Sequence, residues 1–246
     1  MSSSTALLHS EWIKIRSMRA TAGSLLAVLA ATAGITALAG AAFGTSDAGT
    51  AGFDPLYGSF YGLNFGQIAA IAFGATAFSS EFHNGALRVS LAAVPRRGAF
   101  YAAKTAVVGG STLAVGLLTG CATFYAGQTF LGRYALGLGD PAALRAVLGS
   151  AVYLTLMALL ASGLAAVLRS GVAVLSILVP FILIVSFVLG DKATGVAAYL
   201  PDRAGQLVLH QHPDAPFGPW TGLAVTAGWA AVAVAAGWFA VRRRDA

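Results

Sequence analysis

Between successive charged residues the chain runs through six long apolar windows, at 20–44, 55–80, 105–132, 146–168, 170–190 and 215–241. Each contains an apolar stretch of about 20 residues, which is what a helix rising 1.5 Å per residue needs to cross a hydrocarbon core about 30 Å thick. The pattern predicts six membrane helices, at about 20–43, 57–79, 104–131, 145–168, 171–190 and 219–241. Buried helices of a soluble protein are usually shorter and alternate with amphipathic surface helices. Strands of a membrane barrel show a period of two, which is missing. Lys14, Arg16 and Arg19 before the first run give it the look of a signal peptide. That run is longer than the usual apolar region of about 7–15 residues, so it reads as a retained span.

Composition fits lipid as the solvent. The 246 residues are 57% hydrophobic and 10% charged, with a mean hydropathy of +0.77; soluble domains carry about 25% charged residues. The fold class is therefore all-α, one polytopic transmembrane domain over 1–246. Charge then orients it. With six spans, one side receives Lys14, Arg16, Arg19, Arg88, Arg96, Arg97, Lys104, Arg169, Arg242, Arg243 and Arg244, and the other only Arg133, Arg145, Lys192 and Arg203. This places both termini in the cytoplasm and the chain in the plasma membrane as a multi-pass protein. The net charge of +6 accordingly reports topology, and no nucleic-acid partner is expected.

The largest cytoplasmic connection reads EFHNGALRVSLAAVPRR over 81–97. Leu87, Leu91 and Val94 recur at helical spacing, Asn84 suits an N-cap and Pro95 a stop, so a short amphipathic helix is predicted there. Before the first span, over about 5–19, Leu8, Trp12 and Ile15 fall on one helical face with Lys14 and Ser17 away from it, as an interfacial helix requires. In the plainer alternative, Arg88, Arg96, Arg97 and Lys104 only anchor the loop to anionic headgroups.

The run Ser79-Ser80-Glu81-Phe82, with Gly85, Leu87, Arg88, Leu91, Pro95, Arg96, Arg97 and Lys104, resembles the cytoplasmic loop of type-2 ABC exporter permeases; Ala86 stands where a Thr is frequent. Leu8, Glu11, Trp12, Lys14, Ile15 and Arg16 are similar to the elbow helix of the same family. The resemblance implies a permease subunit, paired with a second copy or a related chain, that docks two copies of a separate ATP-binding subunit. Its coupling helix would be about 81–97, contacting the ATPase through Glu81, Phe82, Asn84, Gly85, Leu87, Arg88, Leu91, Pro95, Arg96 and Arg97. It also implies a pathway where the second and fifth spans of two subunits meet, lined by Phe60, Asn64, Gln67, Phe181, Ser186 and Phe187, with half-depth outer helices at about 191–213 capping the exit.

The residues themselves add mainly exclusions. No phosphate-cradling G-x-x-x-x-G-K-[ST] run occurs, so ATP and Mg are expected in the partner and no cofactor in this chain. Paired carboxylates and Ser/His/Asp arrangements are lacking in the spans, which argues against an enzyme. The polar side chains expected at membrane depth, among them Asn64, Gln67, Gln128, Thr155 and Ser162, are not ionisable. That weighs against ion coupling and for an apolar or amphiphilic cargo; the resemblance implies export, as in multidrug or antibiotic efflux, and the Ala-, Gly- and Arg-biased usage suits a high-GC bacterium. His210, His212 and Asp214 form a weak metal constellation, against which solvated loop residues are the simpler expectation. Cys121, the single cysteine, reads as a small packing residue. The glycine spacings at 58, 62 and 66 and at 116 and 120 predict close helix packing within the chain. An ATP-independent facilitator or structural membrane subunit is the alternative function.

Overall fold

The computed structural model describes residues 3–47, 50, 52–82, 86, 87, 90, 96–184, 195–212 and 215–243. Among these the chain is all-helical: α1 Ser3–Ser17, α2 Arg19–Asp47, α3 Pro55–Gly58, α4 Leu63–Ser79, α5 Arg97–Gln128, α6 Pro141–Leu168, α7 Gly171–Leu183, α8 Pro201–Gln206 and α9 Pro219–Arg243. Four of them, α2, α5, α6 and α9, are long and apolar enough to cross a membrane.

Of the other two expected spans, the one at 57–79 differs from its prediction and the one at 171–190 is described only in its first part. Over 55–79 the helix is interrupted: residues 59–62 form turns in which Phe60, Tyr61 and Leu63 donate to carbonyls three residues back. Asp54 and Pro55 start α3. At Gly62 the chain also lies against α2, where a Cβ would overlap the Thr32 carbonyl oxygen and where its N–H donates to Thr36 Oγ1 at 3.0 Å. α4 is thereby left at 17 residues, and α7 has 13 described residues with 185–194 outside them. Asn84, Gly85, Arg88, Leu91, Pro95, Ser186, Phe187 and Asp214 also lie outside the described residues.

α6 is the central helix, packed against α4, α5 and α9, while α2 packs on α4 and α5. The expected close packing is intrachain: Gly116 and Gly120 of α5 face Ala151 and Val147 of α6. Gly74 of α4 lies so near the Ala158 carbonyl of α6 that a Cβ would overlap it, and Ser162 Oγ donates to the Gly74 carbonyl at 3.1 Å across the same contact. Tyr153, Phe60, Phe73, Phe78, Phe100 and Phe124 fill the interior. Leu26, Leu38, Val172, Ile177 and Val232 point outward, as side chains do when lipid is their solvent.

Candidate functional site: a buried charge cluster

Every glutamate in the chain, Glu11 and Glu81, and two of its three lysines, Lys14 and Lys104, meet at the end of the bundle that carries the termini. Four pieces of chain supply the site: α1, the single 3-10 turn Ser80–Phe82 that ends α4, the helical residue Ser90, and the first turns of α5. Lys104 is central. Its Nζ lies 2.6 Å from Glu81 Oε1 and 2.8 Å from Glu11 Oε2, with the Phe78 and Phe100 rings beneath it at 5.9 and 5.7 Å. Lys14 closes the ring from the rim, donating to Glu11 Oε1 at 2.8 Å, Glu81 Oε1 at 3.0 Å and Ser90 Oγ at 3.1 Å. Ser90 donates in turn to Glu81 Oε2 at 3.0 Å.

Two carboxylates and two ammonium groups balance, which is the condition for holding charge away from water. Burial is nearly complete: Glu11 is 2%, Glu81 3% and Lys104 4% exposed. Burial raises the Glu81 carboxyl, but the Lys104 charge and hydrogen bond, then Lys14, outweigh it and hold the group below its ordinary 4.5. Burial likewise lowers Lys14, yet the Glu11 and Glu81 carboxylates outweigh it and hold the ammonium above its ordinary 10.5. The signs set the window. The Glu81 contribution is present above its unfolded value and is lost as pH falls through the depressed one; that of Lys14 is present below its unfolded value and is lost as pH rises through the raised one. The clasp is therefore closed throughout the neutral range.

This revises the expected face of α1. The stripe turned inward holds Glu11, Ile15 and, half-buried, Lys14, while Leu8, Trp12 and Ile13 are exposed. Ile15 packs with Phe73, Ala77 and Val108, and Thr21 Oγ1 holds the corner between α1 and α2 by donating to the Ile15 carbonyl at 2.8 Å. Arg16 is exposed. Of the loop residues, Leu87 is buried, Arg96 exposed and Arg97 half-buried. Phe82 lies under the Arg169 guanidinium at 5.6 Å. Lys104 is enclosed by carboxylates, so it is not a headgroup anchor.

A second polar network is buried toward the opposite end. The Tyr153 hydroxyl of α6 bonds to Gln67 Oε1 and lies 2.6 Å from Asp202 Oδ1; Gln206 Nε2 donates to Asp202 Oδ1 at 2.9 Å and to Asn64 Oδ1 at 3.1 Å. Phe60, Asn64 and Gln67 are thus buried within this chain, at 1%, 7% and 0% exposure; Phe181 is half-buried on α7. Asp202, at 0% exposure, is a buried carboxylate that the sequence places in a polar outer segment. Its signal was Pro201-Asp202 opening a short helix, with Gln206 four residues on.

At that same end Asp54 links two segments. Oδ1 caps α3, accepting from Leu56 and Tyr57 N–H at 3.0 Å each. Oδ2 accepts from Gln211 N–H at 2.8 Å and faces His210 Nδ1 at 3.4 Å; the His210 ring stacks on Tyr57 at 4.1 Å. His210 is therefore engaged by Asp54 and Tyr57. Burial opposes ionisation of Asp54, but the His210 hydrogen bond, then the Tyr57 and Gln211 amides, hold its carboxyl below 3.8. The contact is expected to persist at pH 5 and to open only as pH falls through that depressed value. Asp54→Ala, which also loses the cap at about 0.5–2 kcal/mol, is expected to expose the Gln211 amide to rapid hydrogen exchange at neutral pH. Unchanged protection would contradict the link.

No family model matches the chain. No curated protein matches it either.

Proposed function

We propose that the chain is the membrane permease subunit of an ATP-driven exporter of the type-2 ABC kind, moving an apolar or amphiphilic substrate. The observation that carries this is the buried cluster of Glu11, Lys14, Glu81 and Lys104. A loop that only anchors to headgroups needs exposed cations. Here the root of the loop is tied to both α1 and α5 through groups that cannot separate cheaply, so a push on residues 81–97 would be delivered to the start of α5 and to α1 together. In this account residues 55–79 form one interrupted span, the chain after α7 completes another, α1 lies at the cytoplasmic interface with Leu8, Trp12 and Ile13 toward lipid, and the termini are cytoplasmic. Two such subunits would pair and dock two ATPase chains holding ATP and Mg.

Asp202 favours a second reading. A buried carboxylate within hydrogen-bond reach of Tyr153 and Gln206 is the kind of group on which ATP-independent, ion-coupled movement is built. Inside-out vesicles containing the chain with a candidate ATPase subunit separate the two. Uptake of an amphiphilic dye that requires ATP and the ATPase is the expected result; uptake without either, driven by an imposed ion gradient, would replace the exporter with the ion-coupled reading.

A further inference from the structure

Two cavities adjoin at the end of the bundle away from the termini. One, of about 530 Å³, is polar, with Asp54, Arg203, His210 and His212 on its wall. The other, of about 410 Å³, is apolar and runs along the last turns of α2, past Thr36, Ala39, Gly40 and Phe43. Phe53, Gly58 and Tyr61 line both. Each volume lies within the roughly 300–1,000 Å³ of ligand pockets. Phe43 and Tyr61 are 60% and 42% exposed, so the apolar compartment opens on the outward side of a candidate span. The polar compartment is walled by the connection that follows α2 and by the segment around α8.

The charges on the polar wall cancel and are already in use. Asp54 accepts from the Leu56, Tyr57 and Gln211 amides and faces His210, and Arg203 is engaged within the chain as well. An ionic head of either sign would give up its water there without gaining a counter-charge. The capacity that remains is neutral. Among the described residues the Tyr61 hydroxyl and the His212 ring have no hydrogen-bond partner, and a hydroxyl and a neutral imidazole each both donate and accept. A water takes about 30 Å³ of liquid, so a compartment of about 530 Å³ suits a head of several hydroxyls better than a single one.

We propose that the twin cavity binds a neutral single-chain amphiphile with a polyhydroxylated head, taken from the adjoining leaflet, its head against Tyr61 and His212 and its chain along α2 past Ala39 and Phe43. The inference rests on the exporter reading only in making this amphiphile a candidate cargo; binding itself needs no ATPase, so the two can fail separately.

The test is saturable binding of radiolabelled dodecyl glucoside, below its micelle-forming concentration, to the chain in nanodiscs of zwitterionic lipid, with empty nanodiscs subtracted. Dodecanol, dodecyl phosphate, dodecyltrimethylammonium and free glucose serve as competitors. Each is expected to compete at least tenfold more weakly than unlabelled dodecyl glucoside. Ala39→Trp, which fills the apolar compartment at a partly exposed position, should weaken binding at least tenfold. Tyr61→Phe, which removes only the hydroxyl, and His212→Ala should each weaken it about threefold to tenfold while leaving the weaker binding of dodecanol unchanged. Both positions are exposed, so these variants keep the head assignment testable should Ala39→Trp fail to fold. Equal competition by dodecanol, or unchanged binding in both Tyr61→Phe and His212→Ala, would overturn the head assignment. Equal competition by dodecyl phosphate or dodecyltrimethylammonium would overturn its neutrality. Equal competition by glucose, or unchanged binding in a folded Ala39→Trp, would overturn the chain site. Absence of saturable binding would overturn the proposal and leave ATPase docking to be decided on its own.

Discussion

Lys104→Met is expected to lower the stability of the folded chain by about 3–5 kcal/mol, the usual effect of removing one partner from a buried ion pair. Methionine keeps most of the stem that packs near Phe78 and Phe100, so the loss is mainly one of charge. Glu11 and Glu81, at 2% and 3% exposure, would then share only Lys14, which reaches them from the rim at 2.8 and 3.0 Å. In a thermal melt in mild detergent the midpoint should fall by roughly 10 °C, taking about 2–4 °C per kcal/mol for a chain of this size. Adding Glu11→Gln to Lys104→Met restores the balance, one carboxylate facing one ammonium, and should recover part of the loss. A single variant that melts with the native chain, or a double variant that melts lower still, would show that the cluster is not a coupled unit.

Tyr153→Phe should have the next largest effect, about 1–3 kcal/mol, with the upper end expected because a carboxylate is involved. The hydroxyl is the link between Gln67 of α4 and Asp202 of α8, and all three residues are fully buried. Its single proton serves one acceptor at a time, so the substitution removes the one donor that these two buried oxygens share. α8 is a six-residue helix held to α9 by Thr226 Oγ1 donating to the Pro201 carbonyl at 2.8 Å, so it is the segment most exposed to this loss. The measurement is hydrogen exchange over 201–206 beside the same thermal melt. Faster exchange confined to that segment with a lowered midpoint is expected, and unchanged values of both would remove Tyr153 from the structural role given to it.

The apolar windows made the long helices legible, because a run of about 20 residues without charge has few alternatives. α2, α5, α6 and α9 therefore stand close to where those windows put them. The interruption at 59–62 was less legible. Gly58, Gly62 and Gly66 read as a packing stripe, and Gly62 and Gly66 do lie against Thr32 of α2, but that spacing carries no mark of the turns at 59–62. The charge cluster was legible as residues and not as a site. Glu11, Lys14, Glu81 and Lys104 stood out within two separate motifs, with headgroup anchoring as the plainer alternative for Lys104. Pairing them spans 67 residues for Lys14 with Glu81 and 93 for Lys104 with Glu11, which local patterns cannot encode. A hint was present in the count of glutamates: all the other acidic residues are Asp, while Glu11 and Glu81 both fall on the side rich in Lys and Arg. Asp202 was missed because polar neighbours imply solvent, whereas folding of 201–206 against α6 and α9 carries it inside.

The docking of a separate ATPase through the loop at 81–97 is the central claim. It is tested most directly by co-purification of the solubilised chain with a candidate ATPase subunit, comparing the native loop with Leu91→Asp plus Arg88→Glu at equal membrane expression. The account predicts that the native chain retains the ATPase and that the altered loop loses it. Equal retention by both, or none by either, would contradict it.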